Sequence, residues 1–474
     1  MFEDDEEDEM HDGDTEVNVL EMISKYEQAR RAKEIPYFDH EVLEQMIAYY
    51  EENEQWKKAE KLIDYALEQH PYSTDFMALK AEALLDKNNA NDAYVLVEKA
   101  LSQDPLAIHL LLLKSDVLCC LGDYKQSLEV LDYVLTFANK EEKIDVYLEK
   151  ADVFEEWENY EQAFENLKLA ILLDPNNEEA LDRIWFLMEF IGNYEECVQF
   201  NQKVIDLAPY SYLAWYNLAN AYVGLERYIE AIEAFEMTLA INDSYEFAYS
   251  DCADTFMILE QYSKAIEYFE KAMQASKPTE EIYYQIGLCY EYLNQSKKAR
   301  TQYRKALRLS PEFHEAHFRI AKTYDEENDS VQALNALMRA NKLDQDNEEY
   351  LYAIAYQLFM QEDYSESCIK CMEATSQKPN MIQAWVLALI NFYYLNETDI
   401  LKDITELAHQ HIPNSNELMM AEGCIKFVSA RQQEGKIMIE NAMLLNPTNI
   451  DIVNNFMPEL LEISVFLELL NQKK

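Results

Sequence analysis

Residues 212–245 read YLAWYNLANAYVGLERYIEAIEAFEMTLAINDSY, and this stretch decides the fold. Trp215, Leu218, Ala219 and Tyr222 recur at helical spacing, and Tyr228, Ala231, Phe235, Leu239 and Ile241 do so again. Between the two runs only Gly224 to Arg227 remain, too few residues for anything but a tight antiparallel turn. The stretch predicts a helical hairpin, with Ala219 and Ala231 small where the helices cross.

Working outward, the same 34-residue pattern predicts twelve hairpins. They start at His40, Thr74, Ile108, Ile144, Glu178, Tyr212, Glu246, Glu280, His314, Glu348, Ile382 and Asn416, with Glu142 and Lys143 inserted before the fourth. Nine prolines lie on this lattice: Pro71, Pro105, Pro175, Pro209, Pro278, Pro311, Pro379, Pro413 and Pro447. A proline inside a helix loses a donor and clashes with the preceding turn, so these mark the connections between hairpins. The small slot of the second helix holds Ala59, Ala93, Ser127, Ala163, Cys197, Ala231, Ala265, Ala299, Ala333, Ser367 and Gly435, and only Leu401 is large there. A later slot is Ala in nine hairpins, from Ala66 to Ala442.

On these residues the chain resembles the tetratricopeptide repeat, whose unit carries Trp, Leu, Gly or Ala, Tyr, Ala, Phe, Ala and Pro at fixed slots. The resemblance implies an all-α, right-handed α-α superhelix of about twelve hairpins over residues 40–449. Residues 1–14 are expected to be a disordered acidic tail and 15–39 a capping helix and linker, with Val19, Ile23, Tyr26 and Arg30 on one stripe. Residues 450–474 are expected to close the array with two helices, Ile450 to Phe456 and Pro458 to Asn471. Three hairpins depart from the pattern. The fifth, residues 178–211, has Trp185 in a small slot and Asn201 in a large apolar one, and is a candidate hinge. The eleventh has Leu389 and Leu401 in small slots, and the twelfth has Glu422 and Lys426 at core-type slots.

Composition narrows the function. The chain holds 40 basic and 90 acidic residues, a net charge of −50. Such a surface repels nucleic acid and anionic lipid and favours a basic or neutral protein partner. No basic-then-apolar leader opens the chain, no run approaches a membrane span, and eight cysteines follow no secreted framework. The expectation is a soluble cytoplasmic protein. Seven glycines are too few for the loops of an α/β enzyme of this length.

No catalytic, cofactor or metal constellation is legible. Cys368 and Cys371 lack a second ligand pair and fall within one predicted helix, as packed thiols. His314 and His317 are three apart, where a zinc-binding helix needs four. Tyr124, Tyr160, Tyr194, Tyr228, Tyr262 and Tyr364 recur at one slot, which points to packing between hairpins.

In the family that the chain resembles, the first helices line a concave groove that receives peptides. Carried over slot by slot, the groove is acidic at Asp116, Asp152, Asp182 and Asp254, with Glu82, Asp145 and Asp325 in the same class. It is aromatic at Phe186, Tyr216, Tyr284, Phe318, Tyr352 and Tyr356. Asn217 and Asn220 are placed to bond a peptide backbone. The family's clamp for acidic chaperone tails is absent, because Asp182, Asp251, Glu281 and Gln285 stand where cations and amides are required. Two readings stay open: a non-catalytic scaffold or adaptor that takes a basic or neutral segment, and a regulatory or targeting subunit of an enzyme complex. The monomer is the expected state, with dimerisation through the apolar stretch from Leu460 to Leu470 as the alternative.

Overall fold

The hairpin lattice is realised as helices in a computed structural model, which describes residues 5–32, 36–429 and 431–471. The described residues contain helices and no strand. Eleven of the twelve predicted starts coincide with the first residue of a helix. The exception is the fourth hairpin, whose first helix runs Lys140–Glu156. Asn139 caps it with a reciprocal bond to Glu142, so the inserted residues become an extra helical turn. In chain order these are hairpins 1 to 12, with slots counted from each predicted start.

The chain divides into two compact units, residues 1–242 and 243–474. The boundary follows hairpin 6 and does not fall in hairpin 5. Within each unit the small slots lie where the helices meet. Ala93, Ser127, Ala163, Ala231, Ala265, Ala299, Ala333 and Ser367 are fully buried, as are the later alanines from Ala66 to Ala442. A larger side chain there would push two helices apart, at about 1–3 kcal/mol for overpacking.

Two further devices repeat. Trp215 and Trp385 donate their indole N–H to the carbonyls of Pro209 and Pro379, at 3.0 and 2.9 Å, which ties the hairpin to the connection before it. The recurrent tyrosine begins the second helix and stacks on the next hairpin: Tyr160 on Phe190, Tyr262 on Tyr292 and Tyr364 on Tyr394, with ring centres 4.8–4.9 Å apart. Where Gly224 takes that place, any Cβ would run into the ring of Tyr194.

The turn inside each of hairpins 1 to 11 holds one residue in the left-handed region. Only Gly122 and Gly192 are glycines there; Asn88, Asn294, Asn328 and Asn396 serve at four others, and Glu54, Glu158, Glu226, Glu260 and Glu362 at five. Asparagine tolerates this conformation, whereas glutamate adopts it at a cost of roughly 1–2 kcal/mol.

The irregular hairpins show local accommodation. In hairpin 5 Trp185 stacks on Tyr216 at 6.3 Å, and buried Asn201 donates to the Cys197 carbonyl at 2.9 Å. In hairpin 11 the buried Leu389 fills a crossing slot, and the second helix Thr398–His411 buries only Ala408. In hairpin 12 Lys426 and His409 hold Glu422, at 2.7 and 3.1 Å. Burial pushes that carboxyl up, but the two hydrogen bonds prevail and keep it below its ordinary value.

The ends differ in extent from the expectation. The first helix runs Asp5–Ala32, so residues 5–14 of the expected tail are helical and only 1–4 lie outside the described residues. Ile23 and Tyr26 are buried from this helix, Tyr26 against Phe38 and Tyr65. At the other end the second closing helix is broken. A 3-10 turn, Pro458–Glu462, is followed by Ser464–Asn471, with Ile463 extended between them. Leu460 and Phe466 are both fully buried. Six residues apart on one helix they would face different ways, and the break lets both reach the core. Ile463, Val465 and Leu467 stay exposed, and the side chains beyond Leu467 lie outside the described ones.

Candidate functional site

The first helices carry two different sets of groove-slot residues. In unit 1 the ninth slot of hairpins 2, 3 and 4 holds Glu82, Asp116 and Asp152. Glu149, one turn before Asp152, meets Asp116 across the hairpin boundary. Burial pushes both carboxyls above their ordinary values; the hydrogen bond between them offsets part of the rise at Asp116, while that bond and the charge of Asp116 help lift Glu149 to about 9. Burial also lifts Asp152 to about 6, against the pull of Arg183. Arg183 of hairpin 5 reaches Asp152, Glu155 at 2.8 Å and Glu179 at 3.4 Å, and is the cation that lets these carboxylates coexist.

Hairpins 5 and 6 contribute less open surface than the slots suggested. Asp182 and Phe186 are exposed, and Phe186 leans on Phe190 at 5.1 Å. Tyr216 and Asn217 are buried. The Asn217 amide donates to the Leu181 carbonyl at 2.7 Å, and that of Asn220 to the Tyr216 carbonyl at 3.1 Å. One N–H of each amide is therefore engaged by the protein's own backbone, and Asn217 is in addition buried. Asn217 packs against the neighbouring hairpin.

In unit 2 the fifth slot is aromatic in three successive hairpins, at Tyr284, Phe318 and Tyr352. Tyr284 packs on Phe313 at 5.0 Å and accepts a hydrogen bond from Arg319 at 3.4 Å. Asp254 lies apart from these, lifted to about 7 by burial, Asp251 and Glu281. Phe318, Tyr352 and Tyr356 wall a cavity of about 490 Å³ reaching from hairpin 9 into the connection before hairpin 11. Asp325 and Gln357 share its lining, and the Gln357 amide donates to Asp325 at 2.6 Å. Gln357 is 3% exposed, and its carbonyl oxygen Oε1 is buried without a hydrogen-bond partner. Asp325 forms no ion pair among the described residues. Lys322 lies over the Phe318 ring at 4.7 Å.

Three of the aromatic candidates, Phe318, Tyr352 and Tyr356, thus share one cavity. Asp116 and Asp152 belong to another cluster, while Asp182, Phe186, Asp254 and Tyr284 stand apart from both. The slot pattern does not single out Glu149, Arg183 or Gln357. Glu149 and Arg183 become visible once each ninth-slot acid is matched to the side chain of the next hairpin that faces it. Gln357 carries no signal in its residue type.

Other chemistry is thin among the described residues. Cys368 and Cys371 are buried free thiols, and burial pushes Cys368 up to about 12, far from a reactive thiolate. His314 bonds the Tyr350 hydroxyl at 2.9 Å. His40, Glu44 and Asp75 bring ligand-type atoms within 4.8 Å of one another, but the His40 ring is engaged by the Ser73 hydroxyl and both acids are exposed. No described helix is long and apolar enough to cross a membrane.

Comparison with known proteins agrees with the repeat register. The tetratricopeptide-repeat profile matches residues 144–177, 212–242, 248–278, 280–313 and 314–347. No curated protein sequence matches the chain. Among solved structures, YrrB, described as a tetratricopeptide protein with an unusual peptide-binding site, is 21% identical over 39% of this chain and 95% of its own, with a TM-score of 0.34. The Cut9–Hcn1 hetero-tetramer of the APC/C is 12% identical over 89% of this chain and 97% of its own, with a TM-score of 0.37. The C-terminal part of a tetratricopeptide protein from Cytophaga hutchinsonii is 14% identical over 51% of this chain and 98% of its own, with a TM-score of 0.43. Five profile matches fall in the register that all twelve helical hairpins follow, so the chain carries tetratricopeptide repeats over those residues.

Proposed function

We propose that the protein is a non-catalytic interaction scaffold that seats a partner segment on the inner side of unit 2, with a basic side chain of that segment entering the cavity beside Tyr352. The observation that carries this reading is the chemistry of the cavity. Its aromatic walls suit the face of a guanidinium, and Asp325 supplies an unpaired carboxylate. Asp325 is held in place by Gln357, whose own oxygen still lacks a donor. An arginine offers a planar fork of donors, able to serve the carboxylate while stacking on an aromatic ring.

The test is a titration of the full chain with short extended peptides containing arginine, lysine or citrulline at one position. Citrulline keeps the shape and removes the charge. Arginine peptides are expected to bind best, with at least about tenfold loss, or 1.4 kcal/mol, for citrulline and for Asp325→Asn. Equal binding of arginine and citrulline peptides would sink the reading. A partner that co-purifies at fixed stoichiometry and carries enzymatic activity would assign the scaffold to an enzyme complex.

A further inference from the structure

We propose that the second helices of hairpins 8 and 9, Ser296–Leu309 and Ser330–Leu343, form a docking face for an acidic, partly apolar segment of a partner protein. This face is separate from the cavity beside Tyr352 and opposite in sign, so the two readings stand or fall independently.

The charge pattern of the chain breaks at these two helices. Each of the other ten second helices carries at least two carboxylates, whereas these two carry none. Ser296–Leu309 instead holds Lys297, Lys298, Arg300, Arg304, Lys305 and Arg308, and Ser330–Leu343 holds Arg339 and Lys342. Arg300 is occupied within the fold, because it is buried, donates to the Thr323 carbonyl and pairs with Glu327 at 2.8 Å. None of the other seven forms an ion pair among the described residues, although the chain has more than two acids for every cation.

The cations also repeat in position. Lys305 and Arg339 occupy the same slot of successive hairpins, and Arg308 and Lys342 share another. Two short rows of like charge therefore run across neighbouring hairpins. Arg308, Arg339 and Lys342 are exposed, and Lys305 is half-buried with its ammonium 5.1 Å from the Tyr283 ring centre. Like charges so arranged repel one another, and a complementary anion relieves that repulsion.

The apolar neighbours choose between kinds of anion. Leu309, Val331, Met338 and Leu343 are exposed on the same two helices, from 42 to 59%. A peptide that alternates acids with apolar residues can use both the cations and these side chains. A nucleic-acid backbone or a lipid headgroup layer offers charge alone, and either would meet the acids of the rest of the molecule over a wider area.

The experiment uses the full chain at about 0.1 M salt, where the screening length is roughly 10 Å and a local field outweighs distant acids. The probe is a labelled synthetic peptide repeating Glu-Glu-Asp-Leu. Its glutamine-asparagine counterpart, a single-stranded oligonucleotide and phosphatidylserine vesicles serve as competitors. The acidic peptide is expected to bind and to resist all three. Lys305→Glu with Arg308→Glu, Arg339→Glu and Lys342→Glu is expected to weaken it at least about tenfold. Glutamine at the same four positions is expected to give a smaller loss, and provides the readout if the reversed chain melts early. Tyr352→Ala should leave this binding unchanged. The proposal is overturned by absence of binding, by glutamine variants that bind as wild type does, or by loss in Tyr352→Ala. Equal or tighter binding of the oligonucleotide or the vesicles overturns it as well.

Discussion

The inner surfaces of hairpins 2–4 and hairpins 8–10 are built on the same helical frame and end in opposite chemistry. In the first, the ninth slot is acidic three times, and two of the three acids are met internally. Asp116 hydrogen-bonds Glu149, whose carboxyl is raised to about 9, and Asp152 leans on Arg183. In the second, the fifth slot is aromatic three times, and Asp325, held by Gln357, forms no ion pair among the described residues although Lys322 and Lys378 also line the cavity. The bulk charge follows the same division: residues 1–242 carry 54 acids against 19 cations, and 243–474 carry 36 against 21. Acid density alone therefore does not separate carboxylates met within the fold from those without a cation. A crowded carboxylate tends to neutralise itself, and an isolated one beside aromatic faces retains its demand for a partner.

The largest effect should come from removing the cation of the first region. Arg183→Leu strands Asp152, Glu155 and Glu179 together and is expected to destabilise unit 1 by about 2–3 kcal/mol, seen as a lower urea midpoint. An unchanged midpoint would mean that these acids do not depend on internal neutralisation. Next comes the second region. Tyr352→Ala should weaken arginine-peptide binding about tenfold, whereas Asp152→Asn should leave it within about twofold. If Asp152→Asn were the stronger variant, the two regions would exchange roles.

The protonation contrast is smaller. Carboxyls raised in the folded state give stability that is fully present below their unfolded value near 4 and lost as pH rises through their folded values. For Asp152 and Asp254 those folded values are about 6 and 7, and Glu149 lies higher. Stability should therefore fall from pH 4 to pH 8. Glu149→Gln should flatten the curve and raise stability at pH 8 by about 1 kcal/mol. A steeper slope in that variant would refute the raised Glu149 carboxyl. The smallest effect should be indifferent to region. Glu158→Asn in unit 1 and Glu260→Asn in unit 2 each relieve a left-handed glutamate and should stabilise by about 0.5–1 kcal/mol. Unequal gains would show that the turns do not share one geometry.

Much of the architecture was legible because each slot repeats. A small residue that recurs in eleven of twelve hairpins can be placed without coordinates, and the helix starts followed to the residue except at Lys140. The turn slot was legible in principle, since its residues recur with the lattice, but glutamate disguised it by not being a turn residue. The candidate site was less legible. Slot assignment put Phe318, Tyr352 and Tyr356 in one aromatic class, and they line one cavity; it also offered Asn217 to a peptide backbone, where the structure has its amide donating to the Leu181 carbonyl.

What followed from sequence alone was every property set by periodic, short-range constraints: helix spacing, the crossing alanines, the proline connections and the repeat register. What required the tertiary structure was every property set by which side chains meet across a hairpin boundary. Asp116 finds Glu149 there, Asp152 finds Arg183, and Gln357 holds Asp325. The reason is physical. Helical periodicity is enforced by backbone hydrogen bonds within a few residues, whereas the charge and hydrogen-bond state of a side chain depends on neighbours some thirty positions away.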